Sequence, residues 1–522
     1  MNHRLVELAR RAQAEGARVG IVSMYDVENN AVRILAGTLR QAGHHVTEVY
    51  FKDWVSNHIF PPTPTELDAL TKLVKDQGLQ LVCISIRASA YYNAARIITQ
   101  HLHEALDIAV LWGGMHPTLM PEQCIDDADM VLKGEGELAL LDLADRLRDG
   151  RDFTDTQNVW LRMADGTIRE NALRPLVMDL DTLAWRDYTT HADKFLVFGD
   201  AVIQGDPMHG DPVFQMMGSR GCIYKCSYCY NSTYKKDIYP GQKWFRVRSP
   251  ASMVEEIRHA TTHWDIKRVR FDDEVFNFQQ GWLEEFCEIY PREVGLPFEI
   301  FIEPKLVNEE RMTMLRDAGL VSVYMGIQSS ERVTGHLYDR RVKNNTINEI
   351  AELYHKLGIK PHFQLIFDDP VSTEEDKKAL FDMVSRFPRP FDLYLFSMTV
   401  FPGSELVKKL LQNGLISEYD IEGTNTRVFY QHRVNLKYPR PVEDTFWISL
   451  IQMLSKDFVP RPALRMLSRS EFLKKHPWPL VQAAHLSNFA KMGSTVSKMA
   501  MEGELTRTLW RRWANMDTII TT

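Results

Sequence analysis

Short apolar runs alternate with segments of helical spacing along most of this sequence, and that alternation limits the fold more than any other feature. In roughly the first 150 residues, the apolar runs have the length of buried strands. Strands separated by helices at this interval are typical of a parallel, doubly wound sheet. The sequence therefore predicts strands at 19–24, 45–51, 81–86, 109–112 and 130–132, with helices at 31–42, 64–77, 94–106 and 137–147.

A second alternation of strands and helices begins near residue 213. Such a repeat is consistent with a full or partial (β/α) barrel, in which the chemistry lies at the carboxyl ends of the strands. Its predicted strands are 213–216, 268–271, 298–302, 321–327, 360–367 and 393–398. We therefore predict an α/β fold in four parts: a doubly wound domain at 1–147, a connector with a hairpin at 148–205, a partial barrel at 206–415 and a mostly helical domain at 416–522.

Charge and cysteine content exclude several classes of function. The chain has 62 Lys and Arg against 69 Asp and Glu, a net charge of −7, so no overall attraction to nucleic acid is expected. We find no run of about 18 apolar residues that predicts a transmembrane helix, and the amino terminus lacks the apolar core of a secretory signal. Six cysteines in 522 residues are too few for a disulfide framework, so we expect a reducing, cytoplasmic setting.

Three of the six cysteines fall within eight residues, directly after the predicted strand 213–216. Cys222, Cys226 and Cys229 form a C-x3-C-x2-C pattern, and thiolates at this spacing can face one point from a single loop. Three ligands are one short of the four that a closed iron–sulfur cluster or a structural zinc site takes. We therefore favour a [4Fe-4S] cluster with one open iron, and a zinc site with a fourth protein ligand is the alternative. The isolated cysteines are expected to be buried, inert thiols: Cys83, Cys124 and Cys287.

The cysteine loop at the start of a barrel, preceded by this α/β domain, resembles the cobalamin-dependent radical S-adenosylmethionine (SAM) enzymes. The resemblance covers roughly residues 15–415. Further stretches similar to this family are 112–118, 131–137, 271–276, 326–333, 338–342 and 401–406. It implies a Rossmann-like cobalamin-binding domain followed by a radical SAM partial TIM barrel, with a [4Fe-4S] cluster, SAM and methylcobalamin as cofactors.

The resemblance also implies an activity. The implied enzyme is a C-methyltransferase that methylates an unactivated carbon of a small molecule or lipid through a 5′-deoxyadenosyl radical and methylcobalamin. A low-potential electron donor of the flavodoxin or ferredoxin type would reduce its cluster. The nearest alternative keeps these cofactors but catalyses a cyclisation or skeletal rearrangement without methyl transfer. A transfer-RNA methylthiotransferase would require a second group of three cysteines, and the sequence has none. A non-catalytic cobalamin carrier would not require an iron with an open site. Both classes are therefore disfavoured.

Candidate site residues lie at the predicted strand ends of both domains, and no catalytic residue is assigned. Besides the three cysteine ligands, the resemblance implies contacts to cobalamin from Tyr25, Asp26, Ser85, Gly113, Gly114, His116, Gly134, Glu135 and Gly136. It implies contacts to SAM from Tyr228, Asp272, Asp273, Glu303, Gln328, Ser329 and Arg340. Several have structural alternatives. The two aspartates and His116 could cap helices, and Glu303 could solvate a loop. Ser85, Gly113 and Gly114 could serve only turns, and Arg340 with Arg341 could be an ordinary pair of exposed surface cations.

Two stretches depart from the family pattern. Many cobalamin proteins carry D-x-H-x-x-G after the first strand, whereas this chain has Asp26, Glu28 and Ala31 at the three defined positions. The lower face of cobalt is therefore expected to lack a histidine. The second departure is the stretch 367–370, Phe-Asp-Asp-Pro, where relatives tend to carry a Gly-Pro-Gly turn.

The carboxyl-terminal segment is basic and aromatic. From residue 455 to the end there are 11 Lys and Arg against 5 Asp and Glu. Four aromatic residues accompany these charges: Trp478, Phe489, Trp510 and Trp513. We favour a helical cap that closes the barrel mouth with a solvated basic face. The alternative is peripheral contact with an anionic membrane, where the protein would collect a lipid or tetrapyrrole.

Overall fold

Two separate sheets organise the chain: a mixed sheet with a parallel centre and an all-parallel sheet. The structure is a computed structural model, and it describes residues 2–10, 16–53, 59–188, 191–418, 420–421, 434–436 and 439–501. The first sheet has nine strands and the second has six, with a two-stranded ribbon between them. Both predicted alternations of strand and helix are therefore confirmed.

The first sheet has the strand order β7-β6-β5-β4-β3-β1-β2-β8-β9. Strand β1 pairs in parallel with both β2 and β3, so the strand order reverses there, and such a reversal opens a crevice at the carboxyl ends of the strands. The strands are β1 (Arg18–Met24), β2 (His45–Phe51), β3 (Leu81–Ser85), β4 (Ala109–Gly113), β5 (Met130–Leu132), β6 (Val159–Arg162), β7 (Ile168–Glu170), β8 (Lys194–Phe198) and β9 (Ala201–Gln204).

Helices cover both faces of this sheet because successive side chains of each strand point to opposite faces. On β3, Val82 and Ile84 belong to one buried apolar cluster, whereas Leu81 and Cys83 belong to another. Asn29 caps the helix that follows β1, and Thr63 and Glu66 form a capping box at the helix that follows β2. The helices are α1 (His3–Arg10), α2 (Asn30–Gln41), α3 (Pro64–Asp76), α4 (Tyr92–Leu106), α5 (Met115–Leu119), α6 (Pro121–Cys124) and α7 (Glu137–Arg148).

The predicted connector adds strands to both edges of the first sheet. The predicted hairpin is present as β6 and β7, and β6 pairs antiparallel with β5. Strand β8 pairs in parallel with β2 at the other edge, and β9 folds back on it. The turn residues at 164–166, which end in Gly166, indicated the hairpin, but they carried no information on which sheet edge would accept it.

The second sheet is an open half-barrel of six parallel strands in the order β10-β13-β14-β15-β16-β17, which confirms the predicted partial barrel. The short ribbon strands β11 (Ser219–Arg220) and β12 (Arg246–Val247) lie between β10 and β13 in sequence. The barrel strands are β10 (Val213–Met216), β13 (Arg268–Phe271), β14 (Phe298–Ile302), β15 (Leu320–Gln328), β16 (Lys360–Phe367) and β17 (Asp392–Ser397). The helices are α8 (Tyr230–Thr233), α9 (Pro250–Thr261), α10 (Trp282–Glu293), α11 (Glu309–Asp317), α12 (Glu331–His336), α13 (Asn344–Leu357), α14 (Glu374–Val384) and α15 (Glu405–Gln412).

Four helices follow the barrel, as the sequence predicts for the described part of this segment. Phe446, Trp447 and Leu480 are buried in the same apolar core as the barrel helices, so these helices pack directly on the barrel. They are α16 (Val442–Leu454), α17 (Arg461–Leu467), α18 (Glu471–Lys475) and α19 (Trp478–Met501). Trp510 and Trp513 lie outside the described residues. Among the helices that the structure describes, none is both long and apolar enough to cross a membrane.

A buried ionic cluster joins the two halves of the molecule. Arg33 on α2 donates two hydrogen bonds, of 2.7 and 2.9 Å, to Asp206 in the segment that leads into the barrel. Lys194 on β8 donates to the same carboxylate at 3.0 Å, and all three side chains are almost fully buried. Although burial alone raises the pKa of Asp206, the two cations hold it well below its usual value. This cluster fixes how the barrel leaves the first sheet.

Candidate active site between the two sheets

A cavity of about 620 Å³ lies between the carboxyl ends of the two sheets. The first sheet contributes loops that follow four neighbouring strands, with Asn30, Arg87, Gly114 and the segment 134–137 at the wall. The barrel side contributes the cysteine loop, the ribbon and the ends of the first and second barrel strands. Its lining residues include Met217, Arg220, Gly221, Tyr230, Asn231, Tyr234, Trp244, Arg246, Arg248 and Glu274. Loops from both predicted functional domains therefore meet at one site.

The cysteine loop is anchored on both sides. Before it, Gly221 has a φ of +82°, and a Cβ there would lie 2.4 Å from the Trp244 carbonyl oxygen, so the ribbon requires glycine at this position. Within it, the Ser227 amide donates to the Tyr338 carbonyl at 3.2 Å, and the Leu406 amide donates to the Ser227 carbonyl at 2.9 Å. The loop is thereby held against the segment that follows α12 and against the start of α15.

The donor set of this loop fits an iron–sulfur cluster. Cys222, Cys226 and Cys229 are free, partly exposed thiols. Within the described residues, no three His, Cys, Asp or Glu side chains converge as they would around a single metal ion. A four-iron cluster is larger than one ion and does not require such close convergence. Burial raises the pKa of Cys222 to about 11, so binding of metal at this loop would release protons.

Arg340 connects several of the residues that the resemblance assigns to SAM. Its guanidinium donates to the Tyr228 hydroxyl at 3.2 Å and to the Gly326 carbonyl at 2.9 Å, and it lies 3.5 Å from the Glu303 carboxylate. Arg340 is 7% exposed, so the alternative of an exposed surface cation is wrong. Ser329 lines a small cleft beside it, and Gln328 is buried at a bulge in β15 with a φ of +61°. Glu303 also accepts the Lys305 amide at 2.7 Å, which orients its carboxylate.

The two aspartates after β13 do not cap a helix, because the next helix begins at Trp282 with Gly281 as its N-cap. Asp272 pairs with Arg270 at 2.6 Å, and Arg270 also lies 3.5 Å from Glu28 of the first sheet. Asp273 is fully buried and accepts a hydrogen bond from Ser219, and burial raises its pKa to about 7. Both aspartates thus support the loops around the site, and neither lies in the cavity wall.

The next residue, Glu274, was missed by the sequence reasoning. It lines the cavity and accepts a hydrogen bond from Tyr230, which follows the third cysteine and lines the cavity as well. Burial raises the pKa of Glu274. The sequence does contain an indication of this position, because Glu274 is the third consecutive acidic residue in the stretch 271–276, which resembles the family.

Four of the nine residues assigned to cobalamin line the cavity: Gly114, Gly134, Glu135 and Gly136. Asp26 lies behind them and pairs at 2.8 Å with Arg87, a lining residue that was missed although its loop had been singled out. Gly113 and Ser85 end neighbouring strands, and Ser85 accepts a hydrogen bond from Asn29. Tyr25 is buried and donates to the Phe60 carbonyl at 2.7 Å.

His116 is fully buried inside α5 rather than in the cavity wall. Its Nδ1 lies 2.9 Å from the Ser89 hydroxyl, and its ring packs edge-on against Tyr92. Burial lowers its pKa to about 4, so the ring is neutral at physiological pH. The structure therefore places His116 behind the loops that border the cavity.

Both departures from the family pattern have structural counterparts. Glu28, at the usual axial-histidine position, faces the barrel cation Arg270 across the domain boundary. Asp368, in the second departure, has a φ of +60°, a conformation that glycine adopts more easily. Its carboxylate accepts hydrogen bonds from Ser397 and pairs with the buried Arg440 at 3.1 Å. Asp368 thereby ties the end of β16 to β17 and to the carboxyl-terminal segment.

The residues around the cavity fit a large, flat cofactor on the side of the first sheet. The cavity lies at the strand-order reversal, where this type of sheet binds ligands. Gly114 has a φ of +104°, and a Cβ there would approach the Ile86 backbone within 3.0 Å, so the loop runs close along its neighbour and keeps the crevice open. This arrangement agrees with a cobalamin held against the first sheet.

Comparison with known proteins identifies both halves. The radical SAM superfamily model matches residues 216–384, and the B12 binding domain model matches residues 16–144. An uncharacterized methyltransferase of Pyrococcus horikoshii is 23% identical over 357 residues, which cover 66% of this chain and 72% of that protein. The anaerobic magnesium-protoporphyrin IX monomethyl ester cyclase of Rubrivivax gelatinosus is 24% identical over 404 residues, covering 76% and 68%.

A solved structure shares the fold. It is that of TsrM, a radical SAM methyltransferase from Kitasatospora setae, with cobalamin and a [4Fe-4S] cluster bound. The TM-score is 0.59 at 17% identity, and the match covers 76% of this chain and 78% of that chain. The two family matches coincide with the two sheets that border the cavity, and the chain therefore combines the B12 binding domain and the radical SAM domain of a cobalamin-dependent radical SAM enzyme.

Proposed function

We propose that this protein is a C-methyltransferase that methylates an unactivated carbon of a small molecule or lipid. The observation that carries the proposal is the cavity that the segments flanking the cysteines and the loops of the first sheet share. When bound, SAM on the cluster supplies a hydrogen-abstracting radical, and cobalamin supplies a transferable methyl group. Both groups must face one substrate, and a shared cavity meets that requirement.

Different residues of the chain would bind the cluster, SAM and cobalamin. The three cysteines would hold the cluster, and the buried Arg340 would bind the carboxylate of SAM by a charge-assisted hydrogen bond. Glu274 offers a carboxylate at the cavity wall for the ammonium group of SAM. Gly114, Gly134 and Gly136 would border cobalamin.

The remaining cavity wall is mainly apolar, and this serves radical chemistry. Ile34, Ile59, Leu180, Leu183 and Phe401 lie around the opening between the domains. Apolar side chains exclude water and stray hydrogen donors from reactive intermediates. The same wall favours a substrate with substantial apolar surface.

The direct test is a product assay with oxygen-free, reconstituted protein. Incubation with SAM, cobalamin, a reductant and candidate substrates should give 5′-deoxyadenosine and S-adenosylhomocysteine together with a methylated product. A variant in which Cys222, Cys226 and Cys229 are all replaced by alanine should give neither product from SAM. Absence of methyl transfer to every substrate that stimulates 5′-deoxyadenosine formation would contradict the proposal.

One observation favours a second candidate, a cyclisation or rearrangement that leaves the methyl group in place. The Rubrivivax relative is named a cyclase, and its name includes a protoporphyrin ester. Such a reaction would give 5′-deoxyadenosine without S-adenosylhomocysteine. The same assay, with tetrapyrroles among the substrates, therefore decides between the two reactions.

A protein electron donor would need access to the cysteine loop. Ile223, the residue after the first cysteine, is 45% exposed, and Lys225 two residues later is exposed as well. An apolar side chain beside a cation suits an acidic flavodoxin or ferredoxin. Replacing Ile223 by serine should raise the KM for such a donor without changing the rate with dithionite. An unchanged KM would remove this surface from the proposal.

The carboxyl-terminal helices support the membrane alternative as well as the cap. Trp478, Leu486 and Phe489 lie on one side of α19 and are between 45% and 68% exposed, and the cations Arg469 and Lys475 are exposed nearby in the chain. Basic, aromatic surfaces bind anionic membranes. Sedimentation with phosphatidylglycerol vesicles should be salt-sensitive and should weaken when all three apolar residues are replaced by serine. If the same amount of protein sediments with and without vesicles, membrane contact is excluded and the helical cap over the barrel mouth remains the interpretation of these helices.

A further inference from the structure

Four charged side chains join the cavity wall of the first sheet to the cysteine loop, and we call them the interdomain clamp: Glu135, Glu137, Arg220 and Arg246. Glu135 lies in the loop that follows β5, Glu137 begins α7, and the two arginines are paired across the ribbon of β11 and β12. Arg246 donates to Glu135 at 2.7 and 3.1 Å, and Arg220 donates to Glu135 at 3.2 Å. Arg220 also pairs with Glu137.

The residues of the interdomain clamp are largely buried and are held by further hydrogen bonds. The Arg246 side chain is 1% exposed and donates a further hydrogen bond, of 2.7 Å, to the Val177 carbonyl. The Glu135 amide donates to the Tyr239 hydroxyl at 3.0 Å, and a Cβ on Gly134 would lie 2.1 Å from that hydroxyl. Burial alone raises the pKa of Glu135, but the hydrogen bonds from Arg246 and the charge of Arg220 lower it below its usual value. Glu135 is therefore ionised, and it separates two cations that otherwise repel each other.

The position of the clamp links it to both sides of the cavity. Arg220 is two residues before the first cysteine, and only Gly221, which is held against Trp244, lies between them. Glu135 lies between Gly134 and Gly136, which line the opposite wall. A change in the clamp thus acts on the first cluster ligand and on the cobalamin side at once.

We propose that the interdomain clamp sets the spacing between the cluster side and the cobalamin side of the cavity, so that radical formation and methyl transfer stay coupled. The proposal rests on the proposed function above. Glu135 and Glu137 are positioning residues, because they act through the loops that they join. Other side chains hold each domain together, so the clamp determines the separation of the domains at the site rather than the fold of either one.

Glu135→Gln is the informative variant, because it keeps the size of the side chain and removes the charge between the two arginines. We expect the ratio of 5′-deoxyadenosine to methylated product to rise at least about threefold in the reconstituted enzyme, with iron content unchanged. In the full chain without cofactors, hydrogen exchange of peptides covering 130–137 and 217–222 should accelerate together. Arg246→Lys, which keeps the charge but loses the paired hydrogen bonds, should show both effects to a smaller degree.

Asp376→Asn is the matched control. Asp376 is a buried carboxylate that pairs with Arg332 inside the barrel domain, remote from the ribbon in sequence. It should lower thermal stability, yet leave the product ratio and the exchange of both cavity peptides at wild-type values. If Glu135→Gln leaves the ratio and the exchange of both peptides unchanged, or matches the control, the clamp proposal is wrong. If wild-type protein forms no methylated product while the exchange of both peptides rises in Glu135→Gln, the proposed function fails and the mechanical role of the clamp stands.

Discussion

Gly221→Ala should weaken the cysteine loop more than a comparable glycine substitution nearby. Alanine in the left-handed region costs about 1–2 kcal/mol, and Gly221 has a φ of +82°. The added Cβ would also lie 2.4 Å from the Trp244 carbonyl oxygen and 2.8 Å from its indole nitrogen, and overpacking of this kind costs about 1–3 kcal/mol more. We therefore expect a total loss of about 2–5 kcal/mol and a displacement of Cys222, the next residue.

Gly241→Ala is the control for this prediction. Gly241 has a φ of +77°, and a Cβ there would meet nothing within 4 Å, so this variant bears only the backbone cost. Chemical denaturation of the full chain without cofactors measures the loss of stability, and iron content after oxygen-free reconstitution measures the effect on Cys222. Gly221→Ala should fall below Gly241→Ala in both. Equal values for the two variants would refute the argument that the Trp244 contact fixes the cysteine loop.

Three further substitutions test the surrounding network. Asp206→Asn should destabilise the chain by about 3–5 kcal/mol in urea denaturation, because it leaves the buried Arg33 and Lys194 without their carboxylate; a loss below about 1 kcal/mol would contradict this. Burial raises the pKa of Asp273 to about 7, so its contribution to stability is fully present below about pH 4 and is lost as the pH rises towards 7; Asp273→Asn should remove that part of the pH dependence, and an unchanged profile would count against it. Asp368→Gly should be about 1 kcal/mol more stable than Asp368→Ala in urea denaturation. Both variants lose the pair with Arg440, but only glycine accepts the φ of +60° easily. The reverse order of stability would show that backbone strain is not important at this position.

Periodicity was sufficient to predict most of the architecture. Strand β16 begins and ends where the sequence predicts, and so does β5, because apolar runs flanked by turn residues are local signals. The cysteine spacing is also local, and it sufficed to place the cluster loop. The edges of the first sheet were not predictable in the same way, because the pairing of β8 with β2 joins segments that are far apart in sequence.

The candidate site was predictable in its location but not in its contacts. Strand ends marked Gly114 and Glu135, and the structure places both residues in the cavity wall. No local pattern indicates that Glu135 pairs with Arg246, because 111 residues separate them. His116 shows another limit of local reasoning, since its position after two glycines does not reveal that the structure buries it inside a short helix.

The central claim is that three cysteines hold a cluster with one iron open to SAM. Electron paramagnetic resonance of the reduced, oxygen-free reconstituted protein tests it most directly, with and without SAM. We expect about four irons per chain and a cluster signal that shifts when SAM is added and vanishes in the triple cysteine-to-alanine variant. A signal that SAM does not change, or protein that binds zinc in place of iron at these cysteines, would contradict it.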